Sequence, residues 1–127
     1  MATALGLARH GLKDVVLMGP APKPLPMDRN TYHPRVYAIS AASEAFLVEL
    51  GVWSLMNQER ITRVQAMEIK GDKFGALYLR SWQAAQNALT WIMESGEIER
   101  VLRQALKVYG VTWIEEELQS YSQHTGT

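Results

Sequence analysis

All five prolines of this 127-residue chain fall within one short stretch, at Pro20, Pro22, Pro24, Pro26 and Pro34. Proline fixes φ, carries no amide hydrogen and pushes the residue before it into extended conformations, so neither a helix nor a central strand can pass through such a run. Residues 19 to 34 are therefore an extended connection, with Asp28, Arg29 and Asn30 adding turn-forming polarity. Whatever folds must do so as a short unit before the connection and a longer, proline-free unit after it.

Composition allows such a fold. Hydrophobic residues make up 47% and charged residues 20%, which suits one globular domain or part of one and excludes disordered, collagen-like and repeat classes. Thirteen Lys plus Arg balance thirteen Asp plus Glu, so the clustered positive charge that nucleic acid demands is missing. Zero cysteines exclude disulfides, thiolate metal sites and a cysteine nucleophile, and fit a reducing cytoplasm. No apolar run reaches the 18 or so residues needed to span a bilayer, and the start is too weakly apolar for a signal peptide.

Before the connection, Ala4, Leu5 and Ala8 have helical spacing, Gly11 ends the helix, and Asp14 to Met18 reads as a short buried strand. The helix has no cap beyond Thr3 and reads as one entered midway. After the connection, Ser40 caps a helix carrying Phe46, Leu47 and Leu50 on one face, closed by Gly51. Alternation from Arg63 to Lys70 (Val64, Ala66) and from Ala76 to Arg80 (Leu77, Leu79), around Gly71 to Gly75, predicts an antiparallel hairpin. A strand over Trp91 to Met93 leads into a helix opened by Ser95 or Gly96, with Ile98, Val101, Leu102, Ala105 and Leu106 on its inner face. Glu97 and Glu99 in its first turn and Lys107 in its last suit the helix dipole. Gly110 ends it before a last strand, Val111 to Ile114. The fold class is α/β.

Chemistry-bearing residues are sparse. His10, His33 and His124 lie in unrelated segments without metal-ligand spacing and read as surface residues. Glu115 to Glu117 reads as a solvated strand end, and Trp53, Trp82, Trp91 and Trp113 as core or rim packing. Arg35 stands apart: it leaves the proline-rich crossing just ahead of a helix start, where a guanidinium can bind an anion such as a pyrophosphate, or else simply be solvated.

Four stretches, taken as a set, resemble the FAD-dependent ubiquinone-biosynthesis hydroxylases, a family of flavoprotein aromatic monooxygenases. Leu5-Gly-Leu-Ala-Arg-His-Gly11 with Val15 to Met18 is similar to the helix and second strand of their dinucleotide-binding fold. Arg35-Val-Tyr-Ala-Ile-Ser40 with Leu50-Gly-Val-Trp53 is similar to their RxxAL-S helix and LGxW turn. Met67 to Asp72 with Gly75 to Leu79 resembles their first hairpin over the substrate. Leu89-Thr-Trp-Ile-Met-Glu94 and the helix carrying Leu102 and Leu106 resemble their LxxIVEN stretch and the helix after it.

The resemblance implies a partial FAD-binding Rossmann-like, doubly wound fold lacking its first strand. Residues 1–61 and 87–127 would form the partial FAD-binding domain and 62–86 a hairpin of the substrate-domain sheet. FAD would be the cofactor, NAD(P)H the reductant and a prenylated aromatic ubiquinone precursor the substrate, in the cytoplasm or peripheral to the inner membrane, with association to a membrane surface or biosynthetic complex. By resemblance, Arg35 would contact FAD, Ala38 would line its approach, and Gly19 and Glu99 would occupy cofactor-facing positions; no catalytic residue is expected, because the flavin carries the chemistry.

The departures are specific. The family's strand and GxGxxG turn precede the first helix, and the resemblance sets Met1 just past the third glycine. Gly19 stands where relatives carry a ribose-binding Glu, Glu94-Ser95 where they carry Glu-Asn, and Glu99 where they carry Gln or Arg. The C-terminal half, with its GD flavin motif, has no counterpart here. The segment itself is therefore expected to be inactive, and Val15 to Met18 to leave an apolar sheet edge in need of a partner. The competing expectation is a non-catalytic remnant or interaction module that binds no flavin; a third is an unrelated small α/β binding protein.

Overall fold

The computed structural model describes residues 1–20 and 32–122; most of the proline-rich connection, with Pro22, Pro24 and Pro26, and His124 lie outside them. The fold is mixed α/β, with three α-helices and three small sheets among the described residues. The first unit is α1 (Ala2–Arg9), ended by Gly11 at φ +83°, and strand β1 (Val16–Met18). The second contains β2 (Val36–Ile39), α2 (Ala41–Glu49), β3 (Thr62–Val64), the hairpin β4 (Ala66–Lys70) and β5 (Ala76–Arg80), β6 (Thr90–Glu94), α3 (Ser95–Val108) and β7 (Thr112–Ile114).

The two units are joined by sheet pairing. β1 lies parallel to β7, with Val16, Leu17 and Met18 opposite Thr112, Trp113 and Ile114, so the chain's first strand is closed by its last. β2, β6 and β3 form an antiparallel sheet with β6 central. The β4–β5 hairpin stands by itself as a third sheet.

The core gathers on α3. Val101, Leu102, Ala105 and Leu106 pack with Ala4 and Leu5 of α1, Leu47 and Leu50 at the end of α2, Val52 and Met56 of the following turn, and Met93 of β6. The one-three-one spacing on α3 puts these side chains on one stripe, which is why that helix holds the structure together. Gly51 sits at φ +71°, the left-handed geometry that lets the chain leave α2 and bring Val52 under the helix.

Four expectations need correction. Phe46 is exposed: the buried stripe of α2 is centred between Leu47 and Leu50, and Phe46 falls on its rim. The strand at Val16–Met18 is half exposed rather than buried, with Val16 and Met18 outward, because only one of its faces meets the core. The hairpin starts at Ala66, since Thr62–Val64 pairs with β6; its apolar cross-strand partners are Met67 with Leu79 and Ile69 with Leu77, one residue out of phase with Val64 and Ala66. That apolar face is open, and Trp82 beyond it is 71% exposed rather than packed.

Candidate functional site

The most elaborate polar arrangement lies where the chain enters β2 and where β6 turns into α3. β2 and β6 run antiparallel with Val36 opposite Glu94 and Ala38 opposite Ile92, so the start of β2 and the end of β6 coincide. Glu94 is the N-cap residue of α3, and the Ser95 amide donates to the Arg35 carbonyl at 3.0 Å. Arg35 is thereby tied by its main chain to the first turn of α3.

Two carboxylates are buried in this junction, each held by an arginine. Glu94 accepts from Arg60 Nε at 2.6 Å, with both side chains nearly sealed (5% and 11% exposed), and from the His33 amide. The Arg60 hydrogen bond holds the Glu94 carboxyl below its ordinary range against the opposing effect of burial, and the His33 N–H adds to it. The Tyr32 ring lies 4.6 Å from the Arg60 guanidinium. Glu97 accepts from Arg100 at 2.6 Å and from the Asn57 amide at 2.6 Å. Burial pushes Glu97 up, but those hydrogen bonds outweigh it and leave it below the usual carboxylate range. Both acids are therefore ionised at neutral pH and only accept hydrogen bonds. They position backbone; they are not poised to give up a proton.

His33 was expected to be a surface residue; it is half-buried and bonded on three sides. Its amide donates to Glu94, its Nδ1 accepts from the Arg35 amide at 3.0 Å, and the Ser95 hydroxyl lies 3.2 Å from the same nitrogen. Apart from Arg35 two residues on, its partners are 61 and 62 residues away, out of reach of any local pattern. Glu97, read from sequence only as a helix-dipole residue, has one distant partner, the Asn57 amide, besides Arg100 three residues on.

The four residues singled out by resemblance are placed as follows. Arg35 and Ala38 are exposed on β2 and at its entry, and the Arg35 guanidinium meets no carboxylate among the described residues. Glu99 is half-buried on α3, one residue before Arg100. Gly19 follows β1 and is tied instead to β7: its N–H donates to Ile114 O at 3.0 Å and its carbonyl accepts from Trp113 Nε1 at 2.9 Å. A Cβ at Gly19 would meet nothing within 4 Å, so there is open space at this strand end but no side chain to use it. Arg35, Ala38 and the α3 N-terminus thus share one junction, while the bonds of Gly19 go to the β1–β7 pair.

A separate cleft of about 760 Å³ lies against the first turn of α2, Arg63 and the edge-to-face pair Trp53–Trp91, whose centroids are 6.0 Å apart. Among the described residues no group of acids and histidines could hold a metal ion, and no helix is long and apolar enough to cross a membrane.

No protein-family model matches the chain. It is 30% identical over 108 residues to 3-demethoxyubiquinol 3-hydroxylase of Escherichia coli (strain K12), a match covering 85% of this chain and 27% of that protein. The fold is similar to that of a peptidyl tryptophan dihydroxylase, QhpG, essential for tryptophylquinone cofactor biogenesis, with a TM-score of 0.58 at 17% identity over 97% of this chain and 24% of the other. The chain therefore spans about a quarter of the length of the proteins it matches. The link to the ubiquinone hydroxylases is a distant one.

Proposed function

We propose that this chain is the N-terminal portion of an FAD-dependent monooxygenase that hydroxylates the aromatic ring of a prenylated ubiquinone precursor, the segment itself being inactive alone. The supporting observation is the similarity to 3-demethoxyubiquinol 3-hydroxylase, which extends over 108 residues and 85% of this chain rather than one motif. The likeness of fold to a second hydroxylase agrees with a hydroxylase-like role. In this reading residues 1–61 and 87–127 belong to a Rossmann-like FAD-binding domain and 62–86 to the substrate-domain sheet, which gives the open apolar face of β4–β5 a reason to exist.

The residues fit a flavin only in part. Exposed Arg35 suits an anionic phosphate or a flavin edge, and Ala38 leaves room beside it. Gly19 does not suit the ribose: it lacks a carboxylate, and its N–H and carbonyl are already bonded to β7. Glu99 would set a negative charge where a phosphate is expected. No chemical step is therefore assigned to this segment. The mismatch at Gly19 favours a second reading, a non-catalytic module that binds no flavin. The deciding experiment is turnover by the full product of the gene that carries this sequence. NAD(P)H- and oxygen-dependent hydroxylation of a prenylated phenol supports the monooxygenase; its absence with added FAD favours the module.

A further inference from the structure

We infer that His33 is a positioning residue for Arg35, acting as a turn-forming acceptor that holds the Arg35 main chain, and so the root of its guanidinium, at the entrance to β2. Its relevance to a flavin rests on the function proposed above; the clamp itself rests on geometry alone.

The Arg35 amide donates to His33 Nδ1 at 3.0 Å, a side-chain acceptor bonded to the backbone N–H two residues on. This is the hydrogen bond of an Asx turn, with an imidazole nitrogen where Asn or Asp would offer Oδ1. Pro34 lies between the two residues; it fixes its own φ and holds His33 extended, so the turn is preformed. The other contacts pin each end. The His33 amide is anchored on buried Glu94, which Arg60 also holds, and the Tyr32 ring lies over Arg60. The Arg35 carbonyl is occupied by the Ser95 amide at 3.0 Å. Both main-chain polar groups of Arg35 are thus committed, one to His33 and one to α3, while its side chain stays exposed.

Accepting from Arg35 requires a lone pair on Nδ1, so the ring carries its proton on Nε2. The Ser95 hydroxyl lies 3.2 Å from the same nitrogen, whose single lone pair is already taken by the Arg35 amide. The alternative tautomer would instead donate from Nδ1 to the Arg35 carbonyl at 3.1 Å, already the acceptor for Ser95, and would leave the Arg35 amide without an acceptor. Loss of the Nδ1 acceptor therefore frees Arg35 by its amide without touching its side chain.

The 127-residue chain is tested by nitrogen NMR of the His33 ring and by amide exchange at Arg35, in the wild type, His33→Ala and His33→Asn. The expected results are an Nε2–H tautomer, Arg35 exchange faster by about tenfold or more in His33→Ala, and restored protection in His33→Asn, whose Oδ1 can close the same turn. An Nδ1–H tautomer, unchanged exchange in His33→Ala, or equal loss in both variants overturns the inference; the last would mean that the ring only fills space. A parallel FAD titration of the full gene product separates this from the functional reading. Where the wild type binds FAD, His33→Ala must weaken binding several-fold alone and not in an Arg35→Ala background; equal weakening in both overturns the positioning role. Where the wild type binds no FAD, the flavin reading of this segment fails, and tautomer and exchange still decide the clamp.

Discussion

Truncating Leu5 to alanine tests whether α1 is a structural part of this domain. Leu5 is 0% exposed, and it lies in the cluster formed with Leu47, Leu50, Val101, Leu102 and Leu106. Removing three carbons forfeits about 2.4 kcal/mol at about 0.8 kcal/mol per methylene. The unfilled space adds about 24 cal/mol per Å³, bringing the total to about 3–5 kcal/mol. Domains of this size are stable by about 5–15 kcal/mol, so the change removes a large fraction and lowers Tm by roughly 10 °C or more. The control is Leu77→Ala on β5, 54% exposed on the open hairpin face, which should cost no more than about 0.5 kcal/mol. Urea unfolding followed by the fluorescence of half-buried Trp53 and Trp91 reads both variants, and an unchanged m-value confirms that stability alone has moved. Equal losses in the two variants, or a Leu5→Ala loss below about 1 kcal/mol, would refute the placement of the core on α1 and α3.

Other outcomes follow from single contacts. Ser40→Ala removes the hydroxyl that accepts from the Ser43 amide at 3.2 Å and should cost about 1 kcal/mol by the same unfolding assay. Gly51→Ala combines a φ of +71° with a Cβ 2.6 Å from Arg9 Nη1, which itself donates to Leu50 O, so thermal melting should show a loss of roughly 1–2 kcal/mol. Because pairing with Arg60 lowers the folded pKa of Glu94, its contribution is complete above the unfolded value of about 4.3 and is lost as pH falls through the lower folded value. Glu94→Gln lacks that contribution, so acid titration of its stability should be flatter below about pH 4 than that of the wild type.

Much of the fold was legible because it rests on local signals. The Ser40 cap, the left-handed glycines 11, 51 and 110, and the inner stripe of α3 each announce themselves within a few residues. What stayed hidden is tertiary. The closure of β1 by β7 joins residues nearly a hundred positions apart, and the burial of Glu94 and Glu97 depends on partners brought in by other segments, Arg60 and the His33 amide for Glu94 and the Asn57 amide for Glu97. His33 shows the limit most clearly: a lone histidine beside a proline has no pattern to read, and its part emerges only when Glu94 and Ser95 arrive from β6 and α3. The hairpin phase was missed for a related reason. The chain from Arg63 to Lys70 looks like one alternating strand, yet it serves two sheets, and the shift at Gln65 reverses which side chains share a face.

The measurement that bears most directly on the proposed function is the visible spectrum of the purified full gene product, before and after incubation with FAD. We expect bound flavin that is lost or weakened by Arg35→Ala. A protein that stays colourless in excess FAD, while unfolding cooperatively, would contradict assignment to a flavin-dependent hydroxylase.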